Sequence, residues 1–135
     1  MIKGSCLCGK VNYTIEGKLS DITHCHCTTC RKAHGSAFSS VAAVQITDFE
    51  FCSGEESIKS YQSSAGKFRY FCSNCGSQLY AHREGQAHYI LRLGTLNDDP
   101  EVKPTNHIWL SQKAPWYDID SDCNIARYEQ WANNK

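Results

Sequence analysis

The sequence feature that most constrains this chain is the grouping of its cysteines. Seven of the nine cysteines among the 135 residues fall in three short clusters. The clusters read Cys6-Leu-Cys8, Cys25-His-Cys27-Thr-Thr-Cys30 and Cys72-Ser-Asn-Cys75. Thiolates at such close spacing are typical ligands of zinc, which takes four of them in a tetrahedral site. Iron–sulfur clusters also use thiolates, but their usual spacings fit the central cluster poorly. The sequence therefore predicts a zinc protein.

Seven thiols divide into a closed set of four and an open set of three. In the arrangement we favour, the central cluster binds one ion through three neighbouring sulfurs. The two outer clusters together bind a second ion through four sulfurs and join the N-terminal part of the chain to its middle. The other pairing, in which the last cluster joins the central one, leaves Cys6 and Cys8 unused. Two zinc ions per chain are expected.

A three-sulfur site leaves its fourth position open to water, a substrate or another protein ligand. His24, His26 and His34 are near enough in sequence to fill it, and three cysteines with one histidine form a common structural zinc set. If a histidine closes the site, both ions are structural. If none does, the site can perform chemistry, and His24 and His26 become candidates for proton transfer. The residues alone leave both readings open.

Other potentially reactive or charged residues carry no motif of their own. Cys52 and Cys123 stand alone, and we expect each to be a buried or half-buried thiol without a metal role. Arg92 and His107 are expected to be surface charges or satisfied polar groups.

Composition excludes several classes of function. Fourteen basic residues balance fourteen acidic ones, so no basic field predicts binding to nucleic acid or to a membrane surface. An odd number of cysteines in metal-type spacings favours a reducing, cytoplasmic location over a secreted disulfide framework. The chain also opens without an apolar signal segment. At this length we expect one domain over residues 1–135.

Alternating apolar residues predict many short strands, and hence a mainly β fold. The predicted strands cover Lys10–Glu16, Ala37–Ile46, Phe49–Gly54, Ile58–Gln62, Lys67–Phe71, Gln78–Ala81, His88–Leu93 and His107–Leu110. A short helical turn capped by Thr28 or Thr29 and stopped by Gly35 is expected after the central cysteines. Ile125, Tyr128 and Trp131 fall at helical spacing near the end of the chain.

Five stretches of the sequence resemble, in order, the glutathione-dependent formaldehyde-activating enzymes, a family whose domain also occurs in centromere protein V. The stretches are Gly4-Ser-Cys-Leu-Cys-Gly9, His24-Cys-His-Cys-Thr-Thr-Cys-Arg31, Phe71-Cys-Ser-Asn-Cys-Gly76, Gly94-Thr-Leu-Asn97 and His107-Ile-Trp109 with Lys113-Ala-Pro-Trp116. They span most of the chain.

The resemblance implies a fold of coiled, short antiparallel β-sheets built around a structural zinc, with short helical turns. It also implies a division of the cysteines between two ions. Cys6, Cys8, Cys72 and Cys75 would hold the structural zinc, and Cys25, Cys27 and Cys30 the catalytic one. The activity implied is condensation of formaldehyde with glutathione to S-(hydroxymethyl)glutathione, which is a carbon–sulfur lyase reaction in reverse.

We therefore predict a zinc-dependent carbon–sulfur lyase that acts on an aldehyde and on glutathione or a similar small thiol. Three thiolates already donate charge to the ion, which favours a soft thiolate over water as fourth ligand. Arg31, Lys113 and Trp116 are candidate substrate-binding residues, and the two cations suit a carboxylate of a peptide-like thiol. The alternative function is a non-catalytic, zinc-stabilised binding module in which both ions are structural.

Overall fold

A computed structural model describes residues 1–120, 126 and 128–130 of the chain. Within these residues the strands are β1 (Ile2–Ser5), β2 (Asn12–Ile15), β3 (Ile22–Cys25), β4 (Ser39–Gln45), β5 (Phe49–Ser53), β6 (Ile58–Ser64), β7 (Lys67–Cys72), β8 (Gln78–Arg83), β9 (His88–Arg92) and β10 (Pro104–Ile108). The α-helix α1 spans Thr28–His34. Short 3-10 turns cover Ile46–Asp48, Glu55–Ser57, Leu93–Thr95 and Leu110–Gln112.

The strands form two sheets. The small sheet has the order β1-β2-β5 and is antiparallel throughout. The large sheet has the order β10-β3-β4-β9-β8-β7-β6 and is antiparallel except for its edge strand β10, which runs parallel to β3. The prediction of a mainly β fold with short antiparallel sheets is confirmed. None of the helices in the described residues is long and apolar enough to cross a membrane.

Successive side chains of a strand point to opposite faces of a sheet, so the two faces can differ in polarity. One face of the large sheet forms the core. Ala42, Leu91, Tyr80 and Tyr70 lie side by side in register across β4, β9, β8 and β7. This row packs against the buried side chains of the small sheet and the residues that lead into it, which are Val11, Tyr13 and Ile15. The small sheet therefore covers one face of the large one.

The opposite face of the large sheet carries the polar residues. The next row in register is Ala43, Ile90, Ala81 and Arg69, and Arg92 lies beside Val41. Cys25, at the end of β3, is opposite Ser39 on this same face. The sheet thus separates a hydrophobic side from a side that bears buried arginines and thiols.

The structure departs from the sequence predictions at the strand before the central cysteines, at the cap of helix α1 and at the last strand, which covers Pro104–Ile108 rather than His107–Leu110. The sequence predicts no strand directly before the central cysteines, but Ile22–Cys25 is one, because it pairs with β4 on one side and β10 on the other. Helix α1 is capped by the sulfur of Cys27 rather than by a threonine, although it ends at Gly35 as predicted. Of the residues predicted to form a helix near the end, Ile125 and Trp131 lie outside the described residues.

We predict that Gly54→Ala destabilises the protein more than Gly85→Ala does. Both glycines have a positive φ, +82° and +86°, so both substitutions incur the left-handed penalty of about 1–2 kcal/mol. A Cβ at Gly54 would also collide with the carbonyl oxygen of Lys10, whereas the space at Gly85 is open. We expect Gly54→Ala to cost a further ~1–3 kcal/mol. Urea unfolding of both variants measures this, and equal losses would contradict the close approach.

Candidate functional site

Four cysteines from distant parts of the chain meet at one point. Cys6, Cys8, Cys72 and Cys75 place their sulfurs within 4.8 Å of one another, and we call this group the four-cysteine cluster. The Sγ atoms of Cys6 and Cys8 are 3.5 Å apart, and those of Cys8 and Cys72 are 3.9 Å apart. Sulfurs bound to one tetrahedral zinc at about 2.3 Å are separated by about 3.8 Å. The described geometry therefore fits a four-sulfur metal site.

Each half of the four-cysteine cluster is a turn that a glycine closes. In the first, the amide of Gly9 donates to the carbonyl oxygen of Cys6 at 3.2 Å; in the second, that of Gly76 donates to Cys72 at 2.8 Å. Gly9 and Gly76 both have φ +81°, which a residue with a Cβ rarely adopts. The amide of Val11 points at the sulfur of Cys6 from 3.3 Å. The backbone amides and the two glycines thus orient the sulfurs of the four-cysteine cluster toward one another.

Polar neighbours favour the thiolate form of two members of the four-cysteine cluster, whereas burial raises the pKa of Cys72. A hydrogen bond with Ser77, whose Oγ lies 3.3 Å from the sulfur, lowers the pKa of Cys75. A hydrogen bond from Asn74 lowers the pKa of Cys8. Metal binding requires deprotonated sulfur, so these contacts favour it.

Three cysteines form a second group at the start of helix α1. Cys25, Cys27 and Cys30 place their sulfurs within 4.8 Å of one another, and we call them the three-cysteine cluster. Cys25 ends β3, Cys27 caps α1 and Cys30 lies in its first turn, where its amide donates to the Cys27 sulfur at 3.3 Å. No fourth ligating side chain of the described residues joins this cluster. It can therefore hold a metal ion through three sulfurs.

The pKa values of Cys25 and Cys30 are shifted in opposite directions. A hydrogen bond with Cys30, together with burial, raises the pKa of Cys25, whereas the same bond lowers the pKa of Cys30. The charge of Arg92 also lowers the pKa of Cys30. Arg69 lies close as well, with Nη2 4.0 Å from the sulfur of Cys30. Buried guanidinium groups therefore stabilise thiolate here.

The three-cysteine cluster opens into a cavity of about 360 Å³ on the polar face of the large sheet. A second cavity, of about 320 Å³, adjoins it. Cys27, Lys67, Arg69 and Trp109 line both. Lys67 and Arg69 belong to β7, near one edge of the large sheet, whereas Trp109 directly follows β10 at the other edge. The sheet is coiled so far that its two edges meet at the site.

His24 and His26 lie on the other side of β3 from Cys25. The ring of His24 stacks on Phe38, and the rings of both histidines contact His107. The ring of His26 also contacts Tyr117, and Nε2 of the fully buried His26 is 2.8 Å from Nδ1 of His107. Burial, with the neighbouring His107, lowers the pKa of both histidines. Neither lines the two cavities described above. Their role in proton transfer stays a prediction.

The predicted substrate-binding residues lie outside these two cavities. Arg31 donates from Nη1 to the carbonyl oxygen of Gln112 at 2.9 Å, which attaches the turn after β10 to helix α1. Lys113 donates to the carbonyl oxygens of Ala114 and Tyr117. The side chain of Trp116 is 69% exposed. Their substrate role also stays a prediction.

Sequence reasoning missed the cations of the cavity and misjudged two residues. Arg92 was expected to be a surface charge or a satisfied polar group, and this is wrong: it is 5% exposed, and its Nε and Nη2 have no hydrogen-bond partner. Cys52 was expected to be at least half-buried, but it is exposed. Lys67 and Arg69 carry no motif; their alternation with Phe68 and Tyr70 along β7 is the signal that puts both on one face.

The fold and site together define a class of protein: a mainly β chain with one four-cysteine and one three-cysteine metal-type cluster. The family model of the glutathione-dependent formaldehyde-activating enzyme matches residues 1–112. The chain belongs to this family, and the resemblance noted from its motifs is confirmed.

Similarity to individual proteins supports the assignment of the chain to this family. An uncharacterized lyase of Schizosaccharomyces pombe is 27% identical over 129 residues, which cover 95% of this chain and 92% of that protein. A protein of Emericella nidulans that carries the name of the family is 32% identical over 82 residues, or 58% of this chain and 40% of that protein. A crystal structure of a Rhodobacter sphaeroides protein superposes with a TM-score of 0.61 at 26% identity, over 76% of this chain and 99% of that one.

We predict that the two clusters differ in their contribution to stability. Cys72→Ser removes a fully buried sulfur from a cluster that joins the start of the chain to its middle. A structural zinc contributes about 10–16 kcal/mol to folding, against a net domain stability of about 5–15 kcal/mol. We therefore expect Cys72→Ser to lose cooperative thermal unfolding.

The control for this prediction is Cys27→Ser. The three-cysteine cluster joins only neighbours in sequence, so this variant should keep a cooperative melt by calorimetry. Equal destabilisation by the two substitutions would show that the structural and functional roles are assigned to the wrong clusters.

Proposed function

We propose that the protein is a zinc-dependent carbon–sulfur lyase acting on an aldehyde and on glutathione or a similar small thiol. The observation that carries the proposal is the three-cysteine cluster itself: three sulfurs face a cavity beside buried cations, and no fourth described side chain closes the group. Family membership and the lyase name of the Schizosaccharomyces pombe relative support the same class of reaction.

Zinc suits both clusters, because each brings thiol ligands within 4.8 Å of one another and thiolates are preferred zinc ligands. Bound at the three-cysteine cluster, zinc would supply a soft acceptor that favours the thiolate form of an incoming thiol. Cys25, Cys27 and Cys30 would hold it, and Arg69 and Arg92 would balance the charge of the sulfurs from their buried positions. The four-cysteine cluster would hold a second, structural zinc.

The chemistry proposed is addition of a thiol to a carbonyl group. The sulfur forms a bond with the aldehyde carbon, the carbonyl π bond breaks, and the proton from the thiol ends on the former carbonyl oxygen. The reverse reaction cleaves the carbon–sulfur bond, as a lyase does. The cavity fixes the position of the sulfur, while half-buried Cys27 and partly exposed Trp109 leave a path to solvent for the proton.

The binding-module alternative receives less support from the geometry. It requires a protein ligand to complete the three-cysteine cluster, and His24 and His26 point away from it into an aromatic cluster. His34 follows Cys30 by one turn of helix α1, but its ring nitrogens are not within 4.8 Å of all three sulfurs, and it lines a different cavity, next to Phe38 and Gln78. The described residues thus favour a site that accepts an outside ligand.

We predict two zinc ions per chain in protein purified without chelator, as measured by elemental analysis. Cys27→Ser should lose one ion and keep the other, because the two clusters share no residue. Iron in place of zinc, or a single ion in the parent protein, would contradict the assignment.

We also predict that thiols bind directly at the three-cysteine cluster. With cobalt in place of zinc, the visible spectrum reports a change of fourth ligand. Glutathione should change this spectrum, increasingly as the pH approaches the ordinary thiol pKa of about 8.5, whereas S-methylglutathione should not. Cys27→Ser should abolish the response. Cys52→Ser is the matched control, because that thiol is exposed and belongs to neither cluster.

The enzymatic proposal has its own measurement. The loaded protein should accelerate the approach to equilibrium between glutathione, formaldehyde and S-(hydroxymethyl)glutathione without changing the final composition, as followed by NMR exchange. A protein whose cobalt spectrum ignores every small thiol, and which leaves this exchange rate unchanged, would be better described as a binding module.

A further inference from the structure

The side chains that line the two adjoining cavities beside the three-cysteine cluster carry an excess of positive charge. Four cationic side chains line them: Lys67, Arg69, Arg83 and Arg92. Among the described residues of their walls, Asp21 is the sole carboxylate. Such an excess of positive charge is costly in a partly buried site unless an anion offsets it.

The buried cations repel one another rather than pair with acids. Burial, then the charge of Arg69 and Arg92, lowers the pKa of Lys67. Burial, then Arg69, lowers the pKa of Arg92 to about 10. The largest opposing influences on the two pKa values are the cysteines of the three-cysteine cluster, and no carboxylate is among the largest influences on either. The cavity walls are therefore arranged for negative charge that comes from elsewhere.

The lining residues determine how much negative charge a ligand would have to bring to the cavities. Four cations and one carboxylate leave three positive charges. Three thiolates with one zinc ion would carry one negative charge, so two positive charges remain. A thiolate bound at the cysteines offsets one of them and leaves the other for a second anionic group on the same ligand.

Lys67 is the cation best placed for that second group. Arg69 donates from Nε to Ser63 at 3.0 Å, its Nη2 faces Cys30, and its Nη1, which has no hydrogen-bond partner, is enclosed by protein atoms. Arg83 donates to the carbonyl oxygen of Ala65. The free nitrogens of Arg92 are enclosed by protein atoms. Lys67 is half-buried, and it lines both cavities opposite Trp109.

Trp109 supports a ligand site at the junction of the cavities. Its backbone is in the left-handed region, φ 60° and ψ 36°, which a bulky residue rarely adopts. Its side chain is 56% exposed, although it forms a wall of both cavities. Local strain of this kind is concentrated at binding sites.

We infer that the site binds a thiol that also carries a carboxylate, with the sulfur at the three-cysteine cluster and the carboxylate on the ammonium of Lys67. The inference rests on the proposed function, since it assumes that the thiol binds at the cysteines. It replaces Arg31 and Lys113 as the cations that recognise the acid.

Four related ligands test the two ends of this recognition separately. They are 3-mercaptopropionate, its methyl ester, 3-(methylthio)propionate and the methyl ester of that thioether. Dissociation constants for the zinc-loaded protein are measured by NMR titration at neutral pH. The acid should bind at least about tenfold more tightly than its ester in the thiol pair, as expected for a charge-assisted hydrogen bond in a partly buried site.

The variant that tests Lys67 is Lys67→Met, which keeps the aliphatic stem and removes the charge. It should remove most of the preference for acid over ester and leave the binding of the thiol ester nearly unchanged. Lys59→Met is the matched control, because it makes the same change at an exposed position of the adjacent strand β6, outside both cavities. The control should retain the preference.

The outcomes distinguish failure of this inference from failure of the proposed function. Equal binding of acid and ester by the parent protein, or an acid preference that survives Lys67→Met, overturns the carboxylate assignment. Because the first of these needs no variant, the inference remains testable even if Lys67→Met does not fold. Equal binding of thiols and thioethers contradicts the proposed function and, with it, the placement of the sulfur at the cysteines. The assignment of the carboxylate to Lys67 would still stand in that case if a Lys67-dependent preference for acids persisted in both pairs.

Discussion

The contact between two distant cysteine turns determines how the two sheets are joined. One turn leads into β2 of the small sheet, and the other connects β7 and β8 of the large sheet. Around the sulfurs, the amide of Leu7 donates to Ser77 at 2.9 Å, so backbone and side chain also bridge the two turns. The core row of the large sheet then meets the small sheet in a fixed position, and the polar face is left free for the site.

The functional site depends on that separation of faces. Cys25 and the cations Lys67, Arg69 and Arg92 come from strands whose opposite faces carry core side chains. A rigid core beneath the site fixes the positions of charges that repel one another and would otherwise move apart. Buried guanidinium groups beside thiols make negative charge favourable there, which is the electrostatic condition that thiolate chemistry requires.

Much of this arrangement can be predicted from the sequence, because metal-ligand spacing is local and strand alternation is regular. The grouping of Cys25, Cys27 and Cys30 follows from their proximity in the chain, and the hairpin that carries Cys72 follows from period-two patterning. The cavity could not be predicted. Its walls combine β7 with residues after β10, and only the coiling of a seven-stranded sheet brings these together. Arg92 looked like an ordinary polar residue because burial depends on those same long-range contacts.

Because β10 is an edge strand, local opening of this segment can expose the three-cysteine cluster to solvent. It pairs with a single neighbour, β3, and the turn that follows is held to helix α1 by hydrogen bonds from Thr28 and Arg31 to Gln112. Local opening of an edge segment requires less free energy than global unfolding, and amide hydrogen exchange detects it. Such an opening would withdraw Trp109 and uncover Cys27, while the four-cysteine cluster would still join the two sheets. A metal ion bound at the three-cysteine cluster would then exchange faster than one bound at the four-cysteine cluster.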